Sequence, residues 1–433
     1  MADIRPFSGI HYAPDLRPHL AALVTPPYDV ISPEAQVAYY DRHPNNIIRL
    51  ELGLDEPGDD TLNNRYTRAA AIFAEWRLRG IMRQDERPAM YLYRQRFQSG
   101  GKDYWRASLL ARVRLEPWEA GVVLPHEKTM AKPKSDRLKL LRACAANLSP
   151  IMALYQDEQG TLQQLFKALN EFSPEADFTD EAGEEHWLLP ITDAAHLRTI
   201  QDFFAEQRLY IADGHHRYET ALAYRDELRE MRKDLHPEDA ANFVLMSLSA
   251  FEDPGVVILP THRLIKGVAA ERVRGLAEAL KPYFTVDALP ASASATQALE
   301  ALSAETAAAF VLVTAEQTFR LRARPEVAQR MAATGRSAAW QSLDVAILQT
   351  LALEEGLGLD AEALTSGDFL TYIRDADAAV AAVQNGTAQL AALVRSTRVE
   401  QLRDVAAVGD RMPQKSTYFY PKLITGLVIN PLW

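Results

Sequence analysis

The chain has 433 residues, 48% of them hydrophobic and 24% charged, which is the composition of a folded protein large enough for two or three domains. Its net charge of −11 argues against a nucleic-acid partner, because contacts to a phosphate backbone need clustered Lys and Arg. The single cysteine, Cys144, excludes an internal disulfide, and no apolar stretch approaches the roughly 18 residues of a membrane span, so we expect a cytoplasmic protein without a membrane partner.

The first predicted region, residues 1–116, mixes helices and strands. Residues 46–52 alternate like a strand, and residues 64–79 carry apolar side chains at helical spacing. Residues 89–97 and 105–115 predict the two strands of a hairpin around a Gly-Gly turn.

A proline-rich loop at residues 25–34 lies within this region. Its prolines fix φ and prevent a helix before Ser32, which can cap the next one. The loop is either a rigid structural corner or a wall of a binding site, and in the second case we expect Tyr28 and Asp29 to cover that site.

The second predicted region, residues 117–260, contains the most informative run of the chain. The predicted elements are a helix ending near residue 146, a strand at 149–155, a short helix at 162–169, a solvated acidic turn at 180–185, a helix at 192–206, a strand at 208–212, a helix from 215 to about 233, and strands at 243–251 and 256–259.

The strand at 208–212 leads directly into Asp213, Gly214, His215, His216 and Arg217. A strand, a glycine turn and a helix start in this order aim backbone N–H groups and the helix dipole at one point, which attracts anions and phosphate above all. The histidines and the arginine add donors, and the aspartate could hold a metal ion that travels with a nucleotide. The alternative is a polar turn in which the arginine pairs with a neighbour such as Glu219, but four functional groups on one turn favour a site.

The third predicted region, residues 261–433, alternates helices with strands, which indicates an α/β or α+β domain. The predicted helices are 268–280, 296–302, 344–354, 376–386 and 398–407, and the predicted strands are 309–313, 318–321, 369–373 and 391–394.

Other chemistry-bearing motifs are absent from the sequence. There is no P-loop, and the glycine pattern at 356–361 follows a helix, so it is typical of a helix end. His126 and Glu127 lack the second histidine of a zinc protease motif, because Met130 stands in its place.

The run 213–217 resembles the phosphate turn of the ParB/sulfiredoxin-like superfamily, and most closely its free-serine kinase branch. Residues 125–127 are similar to the segment with that kinase's catalytic glutamate, and residues 412–417 to the segment that closes over its amino-acid substrate. Nearly the whole chain resembles the uncharacterised DUF1015 family, whose recurring phrases stand at 27–32, 126–129, 213–218 and 415–423.

This resemblance implies an α+β protein with a nucleotide-binding core at 117–260, an additional N-terminal region at 1–116 and a C-terminal α/β domain at 261–433 that closes the site. It implies a small-molecule kinase that uses ATP or ADP with Mg²⁺ and phosphorylates free L-serine to O-phosphoserine, or runs in reverse. The residues implied are Glu127, Asp213 and His216 for catalysis, Gly214, His215, His216 and Arg217 for the phosphates, His126, Lys415, Ser416 and Thr417 for the substrate, and Asp213 for the metal ion.

Phosphoryl transfer needs charge neutralisation, alignment and removal of a hydroxyl proton, and Glu127 is the residue expected to accept that proton. Taken alone, Glu127 could instead be a helix-start carboxylate paired with Lys128 or Lys132, and residues 415–417 a capped loop before a strand. The alternative function is a ParB-like nucleotide-binding switch or regulatory protein without kinase activity. Sulfiredoxin chemistry is disfavoured, because it needs a cysteine where Gly214 and His215 stand.

Overall fold

The computed structural model describes residues 1–129, 131–232, 234–290 and 294–433. The chain forms two compact units. Unit 1 comprises residues 1–125, 129–257 and 421–433, and unit 2 comprises 126–128 and 258–420. The boundary predicted at residue 260 lies close to the change of unit after Val257, whereas the one predicted at residue 116 falls inside unit 1.

Unit 1 contains both helices and strands, which confirms the predicted α+β class. Its strands are β1 (Ile4–Arg5), β2 (Ile10–Tyr12), β3 (Met82–Gln84), β4 (Met90–Ser99), β5 (Lys102–Arg114), β6 (Val123–Leu124), β7 (Ala146–Asn147), β8 (Ile151–Tyr155), β9 (Ala176–Thr179), β10 (Glu185–Ile191), β11 (Leu209–Asp213) and β12 (Phe243–Ala250). Its helices are α1 (Leu20–Leu23), α2 (Pro33–Arg42), α3 (Ile48–Glu51), α4 (Arg65–Leu78), α5 (Ala131–Cys144), α6 (Thr161–Leu169), α7 (Ala194–Phe204) and α8 (His215–Met231). Short 3₁₀ helices lie at Pro14–His19, Tyr28–Val30, Trp118–Ala120 and Ala240–Asn242.

A nine-stranded sheet forms the centre of unit 1, with the strand order β6-β11-β8-β12-β5-β4-β10-β9 and β1 paired to β5. One face of this sheet carries the apolar core, because alternate side chains such as Leu92, Leu109 and Met246 pack there against residues of α6 and α7 such as Phe166 and Phe204. The opposite face carries the intervening side chains.

The sequence predicts most elements of unit 1 correctly. The hairpin of β4 and β5 forms around Gly100 and Gly101, which both have positive φ. The helix at α4 begins with a capping box between Asn64 and Thr67. The helix predicted to reach residue 233 ends at Met231, and residue 233 lies outside the described residues.

Two predictions in unit 1 are wrong. Residues 46–52 form the helical turn α3 rather than a strand, because the Asn46 side chain accepts a hydrogen bond from the Ile48 N–H at 2.8 Å and starts a turn. The acidic turn at 180–185 is only partly solvated, since Glu184 is buried. The apolar residues Ile48 and Leu50 are buried on a helical turn, and their spacing resembles that of a half-buried strand.

Unit 2 is also mixed, and its six-stranded sheet has the order β15-β17-β16-β19-β14-β18. Its strands are β13 (Val257–Leu259, which begins at the last residue of unit 1), β14 (His262–Ile265), β15 (Phe284–Ala288), β16 (Ala309–Thr314), β17 (Thr318–Ala323), β18 (Leu370–Ile373), β19 (Leu390–Val394) and β20 (Tyr418–Tyr420). Its helices are α9 (Ala270–Ala279), α10 (Ala295–Ser303), α11 (Glu326–Ala332), α12 (Ala338–Gln341), α13 (Asp344–Ile347), α14 (Ala363–Ser366), α15 (Ala376–Gln384) and α16 (Val399–Ala407).

The predicted helices and strands of the third region are present in unit 2. The helix predicted at 344–354 differs in its geometry, since α13 continues into a π-helical stretch at Leu348–Gly356. The final strand, β21 (Asn430–Pro431), pairs with β7 in unit 1. Among the described residues, no helix combines the length and apolar character needed to cross a membrane.

Candidate functional site

The strand-to-helix turn predicted to bind phosphate is present in unit 1. β11 ends at Asp213, Gly214 forms the turn, and α8 begins at His215. Gly214 has a φ of 97°, and a Cβ atom at this position would lie 3.0 Å from Nε of Arg217. The turn therefore requires glycine both for its left-handed backbone and for the close approach of the arginine.

The start of α8 has the geometry of an anion site. The first N–H groups of any helix have no partner within the helix, and the helix dipole adds partial positive charge at the same end. The N-cap residue is Gly214, which has no side chain with which to satisfy these groups. His215 is buried and His216 is half-buried in this first turn. An anion bound here would meet backbone and side-chain donors together.

Asp213 brings two cations to the turn. Its Oδ1 accepts a hydrogen bond from Nζ of Lys422 at 2.6 Å, and its Oδ2 accepts one from Nη2 of Arg217 at 2.8 Å. Burial raises the pKa of Asp213, but the charges of Lys422 and Arg217 and the hydrogen bond from Lys422 outweigh it and hold that pKa well below its usual range. The carboxylate is ionised at neutral pH, and the three side chains together keep one net positive charge.

The same contacts test whether Asp213 fits a magnesium ion. Mg²⁺ demands an octahedral shell of oxygen ligands. Each carboxylate oxygen of Asp213 accepts a hydrogen bond from a cationic side chain, so a dication bound there would face Lys422 and Arg217 directly. The predicted metal role of Asp213 stays a prediction, and in the structure its carboxylate is the partner of two cations.

Arg217 also forms hydrogen bonds with Ser149 and Pro150, the two residues directly before β8. Its Nη1 donates to the carbonyl of Pro150 at 2.5 Å and lies 3.3 Å from the hydroxyl oxygen of Ser149. The sequence left open a purely structural pairing of Arg217 with a neighbour such as Glu219. The neighbour that it pairs with is Asp213, whereas Glu219 accepts a hydrogen bond from the Thr129 hydroxyl at 2.6 Å. These hydrogen bonds fix the orientation of the Arg217 side chain relative to the turn.

A buried polar network supports Arg217 through Ser149. The Ser149 hydroxyl donates to Oε1 of Glu51 at 3.2 Å, and Nη1 of Arg137 lies 3.4 Å from the same oxygen. The Arg137 guanidinium lies 4.0 Å from the centre of the Tyr28 ring, and burial raises the pKa of Tyr28 to about 12. The proline-rich loop therefore reaches the network behind the turn through Tyr28, which stays a neutral phenol at physiological pH.

The second predicted group of residues comes together within unit 2. Nε2 of His126 lies 2.9 Å from the hydroxyl oxygen of Thr417, and the carbonyl of His126 accepts a hydrogen bond from the Met412 N–H at 2.7 Å. The Lys415 N–H donates to Oε1 of Glu127 at 3.4 Å. The segments around His126 and Lys415, far apart in sequence, are therefore neighbours.

The side chains of residues 415–417 differ in their surroundings. Lys415 is exposed and has a φ of 54°, which is rare for a residue other than glycine. Ser416 is buried, and its hydroxyl donates to the carbonyl of Pro413 at 2.6 Å. The alternative pairing of Glu127 with Lys132 involves a side chain that lies outside the described part of the chain. The binding roles of residues 415–417 stay predictions.

Lys422, which pairs with Asp213, and Arg106, which donates a hydrogen bond to the preceding residue Pro421, are two residues that the sequence analysis did not assign to the site. Lys422 lies within the family phrase at 415–423, and that phrase was the only signal for it. Arg106 lies in β5 and is 1% exposed. No feature of the sequence identified Arg106 as a site residue, because strands with one solvated face commonly carry arginine on that face.

The glycine turn at the carboxyl end of a buried strand, with its helix start and paired cations, defines an α+β protein with a candidate phosphate site. The chain belongs to the family described as "Protein of unknown function (DUF1015)", whose model matches residues 4–346 and confirms the predicted membership. Curated proteins give no match to the chain.

Several solved structures are similar to the chain. A conserved hypothetical protein from Pyrococcus furiosus has 13% identity and a TM-score of 0.35 over 73% of this chain and 92% of its own. A mutant of free serine kinase in complex with AMP has 13% identity and a TM-score of 0.37 over 74% and 92%. A C-terminally truncated SbnI from Staphylococcus aureus has 11% identity and a TM-score of 0.34 over 73% and 85%. These similarities are distant, so the roles of individual residues have to be argued from this chain's own geometry.

Proposed function

We propose that this protein is a small-molecule kinase that binds the phosphates of ATP or ADP at the turn of residues 213–217. The observation that carries the proposal is the excess of positive charge at Asp213, where Lys422 and Arg217 share one carboxylate beside a helix N-terminus. A polyphosphate would balance that excess and accept hydrogen bonds from the first turn of α8. His215 and His216 would add donors to the same anion.

The proposed acceptor is a hydroxyl group, that of free L-serine first, and the reaction is reversible in principle. Glu127 would accept the hydroxyl proton, a step typically worth 10²–10⁴-fold in rate. The backbone N–H of Lys415 donates to Oε1 of Glu127 at 3.4 Å, so this carboxylate lies beside the segment proposed to bind the amino acid. His126, Lys415, Ser416 and Thr417 would hold the amino acid.

Asp213 takes a positioning role in this proposal rather than a proton-transfer role. Its low pKa keeps it ionised, so it neither gives nor takes a proton near neutral pH. Its two hydrogen bonds instead fix the ammonium of Lys422 and the guanidinium of Arg217 where phosphate charge arrives. Fixed charges of this kind stabilise a phosphoryl group during transfer without reorganising at each turnover.

The test compares wild type with Glu127→Gln and with Glu271→Gln as the control, since Glu271 is an exposed carboxylate of α9. A nucleotide at 100 times its dissociation constant should add about 2.7 kcal/mol of stability to all three proteins. Mass spectrometry should detect O-phosphoserine from wild type and the control, and at least about 100-fold less from Glu127→Gln.

One outcome of this test would contradict the role of Glu127, and two would contradict the kinase proposal. Equal turnover in Glu127→Gln and wild type would show that Glu127 does not accept the hydroxyl proton. If neither ATP nor ADP stabilised the protein, the proposal that residues 213–217 bind nucleotide phosphates would be wrong. Stabilisation by a nucleotide without any phosphorylated product would instead support the ParB-like switch that the sequence leaves as the alternative.

A further inference from the structure

Arg106 is a buried cation in the middle of the unit 1 sheet. It lies on β5 directly opposite Gln95 of β4 and is 1% exposed. Leu109 of the same strand belongs to the apolar core, so by the alternation of a strand Arg106 and Ser108 project from the other face of the sheet. An arginine at such a position needs a partner for its charge, because burying a lone ion is costly.

The structure supplies Arg106 with hydrogen bonds on one side only. Nη2 donates to the side-chain oxygen of Gln95 and to the carbonyl of Pro421, at 2.8 Å for the latter. Nε and Nη1 are buried and have no hydrogen-bond partner among the described residues. Within the same described part of the chain, no carboxylate forms an ion pair with the guanidinium, so its direct hydrogen-bond partners are neutral oxygens.

The charge of Arg106 persists despite burial. Burial lowers the pKa of Arg106, and the more distant groups Tyr93, Asp253, Glu184 and Asp213 raise it in part. Arginine stays protonated in proteins even after such shifts. Water can satisfy an unpaired N–H, but only an anion can neutralise the positive charge.

Neighbouring strands place further unpaired polar atoms on the same face. Nε2 of Gln95, opposite Arg106 on β4, is buried without a hydrogen bond among the described residues. On β12, Ser247 is opposite Leu110, and its buried hydroxyl has no partner in the part of the chain described. Buried unsatisfied groups are rare in native proteins, and the unpaired atoms of Arg106 and Gln95, which are opposite each other on β5 and β4, indicate a ligand.

The phosphate turn lies on this same face. Asp213 is opposite Met152, Met152 is opposite Ser247, and Ser247 is opposite Leu110, which follows Arg106 by four residues on β5. From β11 to β5 there are three strand spacings, or about 14 Å, and Arg106 lies four residues, or roughly another 13 Å, along β5. Residues 421 and 422 bridge this separation, because the Pro421 carbonyl accepts a hydrogen bond from Arg106 and Nζ of Lys422 donates one to Asp213. A ligand of the size of a nucleotide, or a smaller one beside it, can therefore extend from the turn toward Arg106.

We infer that Arg106 binds an anionic group of a ligand, a phosphate or a carboxylate, through one of its unpaired N–H groups, on Nε or on Nη1. A guanidinium N–H forms a charge-assisted hydrogen bond with either group. The identity of the ligand rests on the proposed function, which supplies one source of each kind, the phosphates of the nucleotide and the carboxylate of the amino acid. The unpaired amide nitrogen of Gln95 adds a donor beside the guanidinium.

The test uses Arg106→Met, with Arg106→Gln as a second neutral variant in case the first fails to fold. The control is Arg225→Met, because Arg225 is also buried but its Nη1 donates to the Leu115 carbonyl at 2.7 Å and its Nε pairs with Asp226 at 2.9 Å. Binding of inorganic phosphate, ADP and L-serine is measured for each protein by calorimetry and by thermal shift.

We expect Arg106→Met to raise the dissociation constant of at least one probe by about tenfold or more, the effect of losing a charge-assisted hydrogen bond. Its unfolding temperature without ligand should equal or exceed that of wild type, because removal of an unbalanced buried charge is often neutral or stabilising. Arg225→Met should show the opposite pattern, with lower stability and unchanged binding.

The probes separate the two sources of the anion. Weaker binding of phosphate and ADP with unchanged L-serine identifies a phosphate, and weaker binding of L-serine alone identifies a carboxylate. Wild-type affinity of Arg106→Met and Arg106→Gln for all three probes would overturn the inference, even if both variants still make O-phosphoserine. Conversely, Arg106-dependent binding by a protein that makes no O-phosphoserine would keep the inference and reject the proposed kinase.

Discussion

At the scale of single residues, the candidate site depends on Asp213, because each of its two carboxylate oxygens accepts a hydrogen bond from a different cationic side chain. Asp213 pairs with Arg217 four residues later and with Lys422, which follows it by 209 residues. All three side chains are less than one quarter exposed, so their interaction is only partly screened by water. Removing the carboxylate would leave two like charges beside each other, which is more harmful than removing either cation.

We predict that Asp213→Asn lowers the free energy of unfolding by about 2–4 kcal/mol at pH 7. The low pKa of Asp213 in the folded state means that the carboxylate stabilises the fold fully above the unfolded value near 4 and loses this effect as the pH falls further. Urea unfolding should therefore show a gap between wild type and variant that narrows below about pH 4. Asp234→Asn is the exposed control, and a gap independent of pH would contradict the assignment.

At the scale of elements, the unit of function is β11, the glycine turn and α8 taken together. The strand is buried, so its end is fixed in the sheet, and the helix start is fixed by the turn that precedes it. Gly214 has to accept both a left-handed φ and the guanidinium of Arg217. Gly160 offers a natural comparison, because it is also a left-handed N-cap residue, of α6, but a Cβ atom there would lie 3.8 Å from its nearest neighbour.

Gly214→Ala should lower the free energy of unfolding by about 1–3 kcal/mol through backbone strain and should also displace Arg217. Gly160→Ala should show the strain without the displacement. We therefore expect only Gly214→Ala to lose stabilisation by ADP in a thermal shift titration. Equal loss of nucleotide binding in both variants, or in neither, would show that the close approach at Gly214 is not part of the site.

At the scale of the whole molecule, two mixed α+β units carry separate groups of buried ionisable residues. In unit 2, His262 is buried on β14, and its Nδ1 accepts a hydrogen bond from the Val394 N–H at 3.2 Å. Burial, with a smaller effect of the Arg263 charge and an opposing one of Asp375, lowers the pKa of His262 to about 4. The folded protein thus holds this imidazole neutral where the unfolded chain would protonate it.

This arrangement predicts a loss of stability on acidification that begins above the range in which carboxylates titrate. Between pH 6.5 and 4 only the unfolded chain binds a proton at His262, so the free energy of unfolding should fall by up to about 1.4 kcal/mol per pH unit. In urea unfolding, His262→Gln should weaken this pH dependence, and His236→Gln, at an exposed position, should preserve it. Identical profiles for wild type and His262→Gln would refute the prediction.

The sequence by itself determined the elements whose signals are local. The hairpin of β4 and β5 follows from alternating side chains around two glycines, and the phosphate turn from a buried strand that meets Gly214 before a helical pattern. Such signals suffice because backbone conformation responds to the nearest few residues. The alternation of side chains at residues 46–52 led to a wrong strand prediction for the same reason, because a buried helical turn and a short strand share that pattern.

Only the tertiary structure decided which charges meet. Lys422 contacts Asp213 although 209 residues separate them in sequence, so the carboxylate has two cationic partners, of which the local sequence offers only Arg217. The burial of Arg106, likewise, follows from which strands flank β5 and not from its own neighbours in sequence. Electrostatic roles depend on distance through space and on exclusion of water, and folding sets both of these only when remote segments share one face of a sheet.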